Sequence, residues 1–163
     1  MIVVSDTSPL TALLTVGQGD LLARIFGEVL IPEAVQRELL RAHAILPDWL
    51  KIHQVRDRAK VQTYAQRVDL GEAEAIALAE ELQADFLLMD ERKGRRLAQA
   101  RHLRVIGLLG VILIAKRRGL ISSARDLLSQ LDSLRLCALY PLRFVFSPDL
   151  LMDGAGWVRQ TKC

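Results

Sequence analysis

Apolar positions along the chain fall into two rhythms, short aliphatic runs and longer stretches in which they recur every third or fourth place, and the two alternate. Ile2 to Val4 is such a run, stopped by Ser5-Asp6-Thr7-Ser8-Pro9, after which Leu10, Leu13, Leu14 and Val16 return at helical spacing. This predicts a strand, a cap and a helix. Asp20 can cap a second helix carrying Leu21, Leu22 and Ile25, which Gly27 ends ahead of a second strand at Val29-Leu30-Ile31. Pro32 suits the first turn of a third helix, whose inner stripe is Val35, Leu39 and Leu40 and whose middle holds Glu38. From Ala44 to Leu70 the periodicity weakens, and the segment reads as a strand at Ile52 to Val55 followed by a polar helix from Arg58 to Arg67.

Beyond Leu70 the rhythm sharpens. The helix-forming run Gly71-Glu72-Ala73-Glu74-Ala75-Ile76-Ala77-Leu78-Ala79 precedes an apolar strand, Phe86-Leu87-Leu88-Met89, which Asp90 closes. A basic helix from Arg92 to His102, a strand at Val105-Ile106 and a helix from Leu108 to Arg118 stopped by Gly119 follow. A last helix, capped by Ser122 or Ser123, runs through Leu131. Strands alternating with helices of this length predict an α/β fold with a mainly parallel sheet, because right-handed crossovers place helices on both faces.

At 163 residues the chain is one domain, and a 51% apolar share with 25% charged residues excludes global disorder. Aromatic residues are only 5%, so the core is aliphatic. Cys137 and Cys163 make neither a disulfide framework nor a zinc site, and the expectation is a reducing, cytoplasmic setting. The first residues lack the basic flank and cleavage site of a secretory signal. The longest apolar run, Val105 to Ala115, is shorter than the roughly 20 residues that span a bilayer, so no membrane is expected. A net charge of +3 permits a polyanionic partner without requiring one.

In an open parallel sheet the functional crevice lies beyond the carboxyl ends of the strands, and Asp6 and Asp90 each follow a predicted strand. Glu72, in the first turn of the helix feeding the Asp90 strand, and Glu38 can point toward the same rim. Each acid also has a purely structural reading: Asp6 as a helix cap, Glu72 as a first-turn acid favoured by the macrodipole, Glu38 as part of a solvated face beside Arg37 and Arg41, and Asp90-Glu91 as a turn. Gathered together, four carboxylates repel one another, and hard divalent cations with oxygen preference relieve that repulsion. Magnesium or manganese is the natural occupant, and its chemistry is that of phosphodiester hydrolysis.

Four segments carry a resemblance. Val3-Val4-Ser5-Asp6-Thr7-Ser8-Pro9-Leu10, Leu30-Ile31-Pro32 with Val35 and Glu38-Leu39, Leu70-Gly71-Glu72-Ala73-Glu74-Ala75, and Leu87-Leu88-Met89-Asp90-Glu91-Arg92 with Gly94-Arg95-Arg96 resemble, in this order, the PIN-domain proteins, and look closest to a prokaryotic branch related to VapC-type toxin ribonucleases. The resemblance implies a three-layer α/β/α fold and magnesium- or manganese-dependent cleavage of RNA, with the toxin of a toxin–antitoxin pair as the role this branch suggests. The alternative is a catalytically degenerate PIN-like module that binds RNA or protein. By position the family's acidic quartet falls on Asp6, Glu38, Glu72 and Asp90, with Asp6, Glu72 and Asp90 as the metal ligands. Ser8 matches the small hydroxyl residue that helps hold the first carboxylate. Two departures stand out: the third acid is Glu72 where many toxin-type relatives have Asp, and the fourth is open between Asp90 and Glu91. The resemblance also implies a nuclease domain over residues 1–136, a small antitoxin partner and a homodimer. Residues 137–163 form a divergent tail, with Cys137-Ala138-Leu139-Tyr140-Pro141-Leu142-Arg143-Phe144-Val145-Phe146 unlike the family's final helix.

Arg92, Lys93, Arg95 and Arg96, with Arg101 and Arg104 beyond them, follow Asp90 closely enough to grip phosphates, although a solvated helix face accounts for them equally well. His43, His53 and His102 have no metal-ligand spacing. No glycine-rich phosphate loop, Ser-His-Asp set or reactive cysteine context is present, which disfavours nucleotide-dependent and acyl-transfer enzymes. A phosphate-responsive receiver is disfavoured too, since only one acid follows the first strand and no lysine follows Val105-Ile106.

Overall fold

Among the described residues five short strands, β1 (Val3–Ser5), β2 (Val29–Pro32), β3 (Leu50–His53), β4 (Phe86–Leu88) and β5 (Val105–Ile106), pair in the order β3-β2-β1-β4-β5, every pair parallel. The computed structural model describes residues 1–133. Within these residues eight helices connect and cover the strands: α1 (Thr7–Thr15), α2 (Asp20–Phe26), α3 (Glu33–Ala42), α4 (Arg58–Tyr64), α5 (Leu70–Glu81), α6 (Arg92–Ala100), α7 (Leu108–Arg117) and α8 (Ala124–Ser133). The result is a three-layer α/β/α sandwich.

Side chains alternate across a strand, so neighbouring residues of β1 enter different cores. Val3 packs with Val29, Ile31 and Leu88 against α1, α2, α7 and α8, whereas Val4 packs with Leu87 and Met89 against α4, α5 and α6. This explains the unbroken apolar runs at Val3-Val4 and Leu87-Leu88-Met89: a central parallel strand is buried on both faces and has no polar side.

Several boundaries differ from the sequence pattern for identifiable reasons. β3 begins at Leu50 rather than Ile52, because its register with β2 pairs Val29 with Leu50 and Pro32 with His53. Val55, expected to end that strand, is instead buried with Val61, Tyr64 and α5. α2 begins at Asp20, with Gly19 at its N-cap, so Asp20 is a first-turn acid and not the cap. α6 ends at Ala100 because His102 takes a left-handed backbone, φ 60°. Of the two candidate serines, Ser123 accepts the Asp126 amide at 3.2 Å at the start of α8. The expected divergent tail, residues 137–163, lies outside the described residues. Among the described residues no helix is long and apolar enough to cross a membrane.

The chain lays β1, β2 and β3 outward in one direction and then returns to place β4 on the other side of β1. The strand order therefore reverses between β1 and β4, and the crevice of a doubly wound sheet opens at that point. An ion pair with a buried carboxylate sets one wall. Glu74, 3% exposed on α5, accepts the Ala34 amide at 2.9 Å and Arg58 Nη1 at 3.1 Å, fastening the start of α3 to α5. Glu74→Ala leaves the Ala34 N–H and the half-exposed Arg58 without this partner, and is expected to cost about 2 kcal/mol in a urea unfolding experiment. A change within a few tenths would show that α3 is held by apolar packing alone.

Candidate functional site

Asp6 and Asp90 stand directly beyond the two strands that flank the reversal. The Asp6 amide donates to Leu88 O at 3.0 Å, tying the end of β1 to the end of β4. Asp6 is the N-cap of α1, and its Oδ1 accepts the Ser8 amide at 3.2 Å. Asp90 Oδ1 accepts the Leu108 amide at 2.8 Å, at the first turn of α7. Glu72 forms a reciprocal capping box with Asp69: Asp69 Oδ1 accepts the Glu72 amide at 2.8 Å and Glu72 Oε2 accepts the Asp69 amide at 3.2 Å.

The three acids share one arrangement. In each, one oxygen is anchored by a backbone N–H at or beside a helix start. The other oxygen of Glu72, Oε1, and that of Asp90, Oδ2, are buried with no hydrogen-bond partner among the described residues. A backbone donor near a helix start therefore accounts for one oxygen of each of these three carboxylates, and in Glu72 and Asp90 a buried second oxygen is left to be accounted for.

Glu38 enters from α3. Its carboxylate accepts a hydrogen bond from Thr7 Oγ1 and lies against Gly71 at the start of α5. Ser8 meets Asp6 through its backbone amide rather than its hydroxyl. Glu91 is exposed at the N-cap of α6, whereas the neighbouring Asp90 is half-buried with its Oδ2 shielded from solvent. Sequence reasoning missed Thr7 and Asp69. Asp69-x-x-Glu72 is a legible capping-box pattern, but the partner of Thr7 lies on another helix and left no local signal.

Burial dominates the electrostatics. It pushes the Asp6 carboxyl well above its ordinary range, with the charges of Asp90 and Glu72 adding to the rise and the Ser8 amide opposing it. Glu72 is pushed up to about 7, again by burial first and then by Asp69, Glu91 and Glu38, against the Asp69 amide. Asp90 is raised to about 6 by burial, with the Leu108 amide and Arg95 holding it down. The acids thus feel one another across one crevice. They do not close on a single point: among the described residues no three His, Cys, Asp or Glu side chains are gathered tightly enough to hold one ion.

This donor set fits magnesium or manganese. It offers only oxygen, two of its buried oxygens lack any donor, and a hard cation of this kind is commonly held by one or two carboxylates while keeping several waters. The basic residues divide. Arg92, Lys93 and Arg96 are exposed on α6 and make no ion pair among the described residues. Arg95 is half-buried and donates from Nη1 to Met89 O at 3.0 Å, next to Asp90. Arg101 is already engaged, 2.8 Å from Glu80 Oε1 and over the Tyr64 ring.

A family model described as a PIN domain matches residues 2–136. No curated protein matches the chain significantly.

The raised carboxyls fix the sign of a pH effect. Glu72 and Asp90 hold their protons in the folded state up to about 7 and about 6 and release them nearer 4.5 and 3.8 when unfolded. The folded protein therefore binds more protons across that window and loses stability as pH rises through it. Metal-free protein is expected to melt at a higher temperature at pH 5 than at pH 8. Millimolar Mn2+ should raise the melting temperature at pH 8 and leave pH 5 nearly unchanged, since the ion requires ionised carboxylates. Equal Mn2+ shifts at both pH values would contradict this.

Proposed function

Because the chain belongs to the PIN-domain family, a family of nuclease type, we propose that it is a divalent-metal-dependent endoribonuclease, the toxin of a toxin–antitoxin pair of VapC type. The observation that carries this reading is the pair of buried, unpartnered carboxylate oxygens, Glu72 Oε1 and Asp90 Oδ2, at the strand-order reversal. Asp6, Glu72 and Asp90 are the residues that would hold magnesium or manganese, and a bound ion supplies a water of lowered pKa and neutralises charge developing on a phosphate. Water adds to phosphorus and one P–O ester bond of the RNA breaks.

The chain's own groups prepare this chemistry. The Ser8, Asp69 and Leu108 amides orient the three carboxylates. Thr7 holds Glu38 at the edge of the site, where it adds negative charge. Arg92, Lys93 and Arg96 on the exposed face of α6, with Arg95 closer in, take the RNA phosphates, and Glu91 stands at the rim. A small antitoxin would inhibit by covering the crevice, and pairing of two copies fits the same reading. Residues 1–136 form the nuclease domain in this view, and a cytoplasmic location follows from the RNA substrate.

One observation favours a second reading, a catalytically silent module that binds RNA or protein: the acids face one crevice without forming a closed set of three. Cleavage of single-stranded RNA, measured with Mg2+, Mn2+ or EDTA, separates the two. Metal-stimulated cleavage that falls at least about 100-fold in Asp6→Asn is expected, since loss of even an outer-shell partner costs about 10- to 100-fold. Asparagine keeps an oxygen for the Ser8 amide, so the variant retains its helix cap. Undiminished cleavage by a clean preparation of Asp6→Asn refutes the assignment of the site to Asp6, and RNA retention without metal-stimulated cleavage by the unaltered protein establishes the silent module.

A further inference from the structure

Three glycines lie beneath three of the four acids. A Cβ on Gly71 would fall 2.9 Å from Glu38 Oε1, one on Gly107 2.7 Å from Asp90 Oδ1, and one on Gly94 2.4 Å from Glu72 Oε1 and 2.6 Å from Met89 Sδ. Backbone conformation does not require glycine at any of them, because the positive-φ glycines are Gly17, Gly27 and Gly119. Gly94 is the most informative. It is the third residue of α6, inside a helix where alanine is the better helix former. The helix therefore forgoes stability at this position, and the space left by the missing Cβ is filled by the unpartnered oxygen of Glu72. That carboxylate cannot simply retreat, for its other oxygen is tied to the Asp69 amide and the residue is only 5% exposed.

We propose that Gly94 is a positioning residue whose bare Cα is the seat of the Glu72 carboxylate, so that the long acid at 72 and the absent side chain at 94 form one device. The inference rests on the nuclease reading and adds to it a residue on a different helix, α6, whose only part in the site is to leave room. Gly71 and Gly107 repeat the arrangement. Gly71 adjoins Glu72 in sequence and Gly107 also faces Arg95, so Gly94 isolates the effect.

The test compares Gly94→Ala, Glu72→Ala and the double variant for Mn2+ binding, read from the electron paramagnetic resonance signal of free Mn2+, and for melting temperature without metal. Gly110→Ala, a helical glycine of α7 whose Cβ would meet only an Ile106 methyl, is the control. Gly94→Ala is expected to weaken Mn2+ binding at least about 10-fold while Gly110→Ala leaves it unchanged. Without metal, adding alanine at 94 should lower the melting temperature in the presence of Glu72 and lower it less, or raise it, in the Glu72→Ala background. The Met89 contact is common to both backgrounds and cancels. Unchanged Mn2+ binding by Gly94→Ala, or equal melting shifts in both backgrounds, overturns the proposal. Should Gly94→Ala alone fail to fold, a folded double variant supports the seat and an unfolded one overturns it. If the unaltered protein binds no Mn2+, the metal reading fails, and the melting comparison alone decides the seat: unequal shifts sustain it and equal shifts remove it.

Discussion

Carboxylates crowded into a buried crevice lose hydration and repel one another, and the end of the sheet is organised around offsetting that cost. The backbone contributes first. Ser8, Asp69 and Leu108 each give an amide N–H to Asp6, Glu72 and Asp90. These donors sit at or beside the starts of α1, α5 and α7, where N–H groups have no partner within the helix and the macrodipole is positive. A hydrogen bond to a charged group contributes about 1.5–3 kcal/mol, whereas burying an ion costs several. The deficit shows in the carboxyls themselves: Glu72 and Asp90 still stand at about 7 and about 6, and Asp6 remains well above its ordinary range. On the proposed reading a divalent cation supplies the balancing counter-charge.

The fold makes this arrangement available at little further cost. In a parallel sheet with right-handed crossovers each strand runs, at its carboxyl end, into the beginning of a helix. An acid just past β1 or β4 therefore finds helix N-termini within reach. Glu72 and Glu38 come to the same place by a different route, projecting from the first turn of α5 and from α3. Glu74 matters for this reason, because it fixes the start of α3 against α5 and so holds the wall that carries Glu38. Two nearby glutamate positions on one helix thus divide their work, Glu72 facing the crevice and Glu74 the helix junction.

The layered fold was legible because strand and helix rhythms alternate cleanly through most of the chain. The exception was the segment around β3, an edge strand with only Leu50 buried, where no alternation marks an inner face and register with β2 decides the ends. Asp6 and Asp90 stood out as residues that end apolar runs. Glu72 and Glu38 had no such signal: their places on helices allowed them to face the rim without requiring it, and the resemblance then assigned them to the acidic quartet. Thr7, bonded across the sequence to Glu38, was invisible locally, and Gly94 stood in a matching segment without a role, since a glycine in a basic helix signals nothing until the side chain above it is known. Arg95 could not be told from Arg92, Lys93 and Arg96 in a run of cations; only burial separates it.

That separation bears on how an anionic substrate can be accommodated. Arg95 is a permanent cation beside Asp90, and with the Leu108 amide it opposes the rise that burial imposes on Asp90. Burial raises both carboxyls toward neutrality, so the crevice titrates close to physiological pH. An incoming phosphodiester adds negative charge and pushes both toward protonation, so substrate alone works against the ionised crevice. The exposed cations of α6 relieve the long-range part of that repulsion, and screening by salt weakens their help. The short-range part falls within the crevice, where Arg95 is one charge against several. On the proposed reading the RNA and the divalent ion are for this reason coupled ligands, each making the other's binding more favourable, and the half-anchored carboxylates are the groups through which that coupling acts.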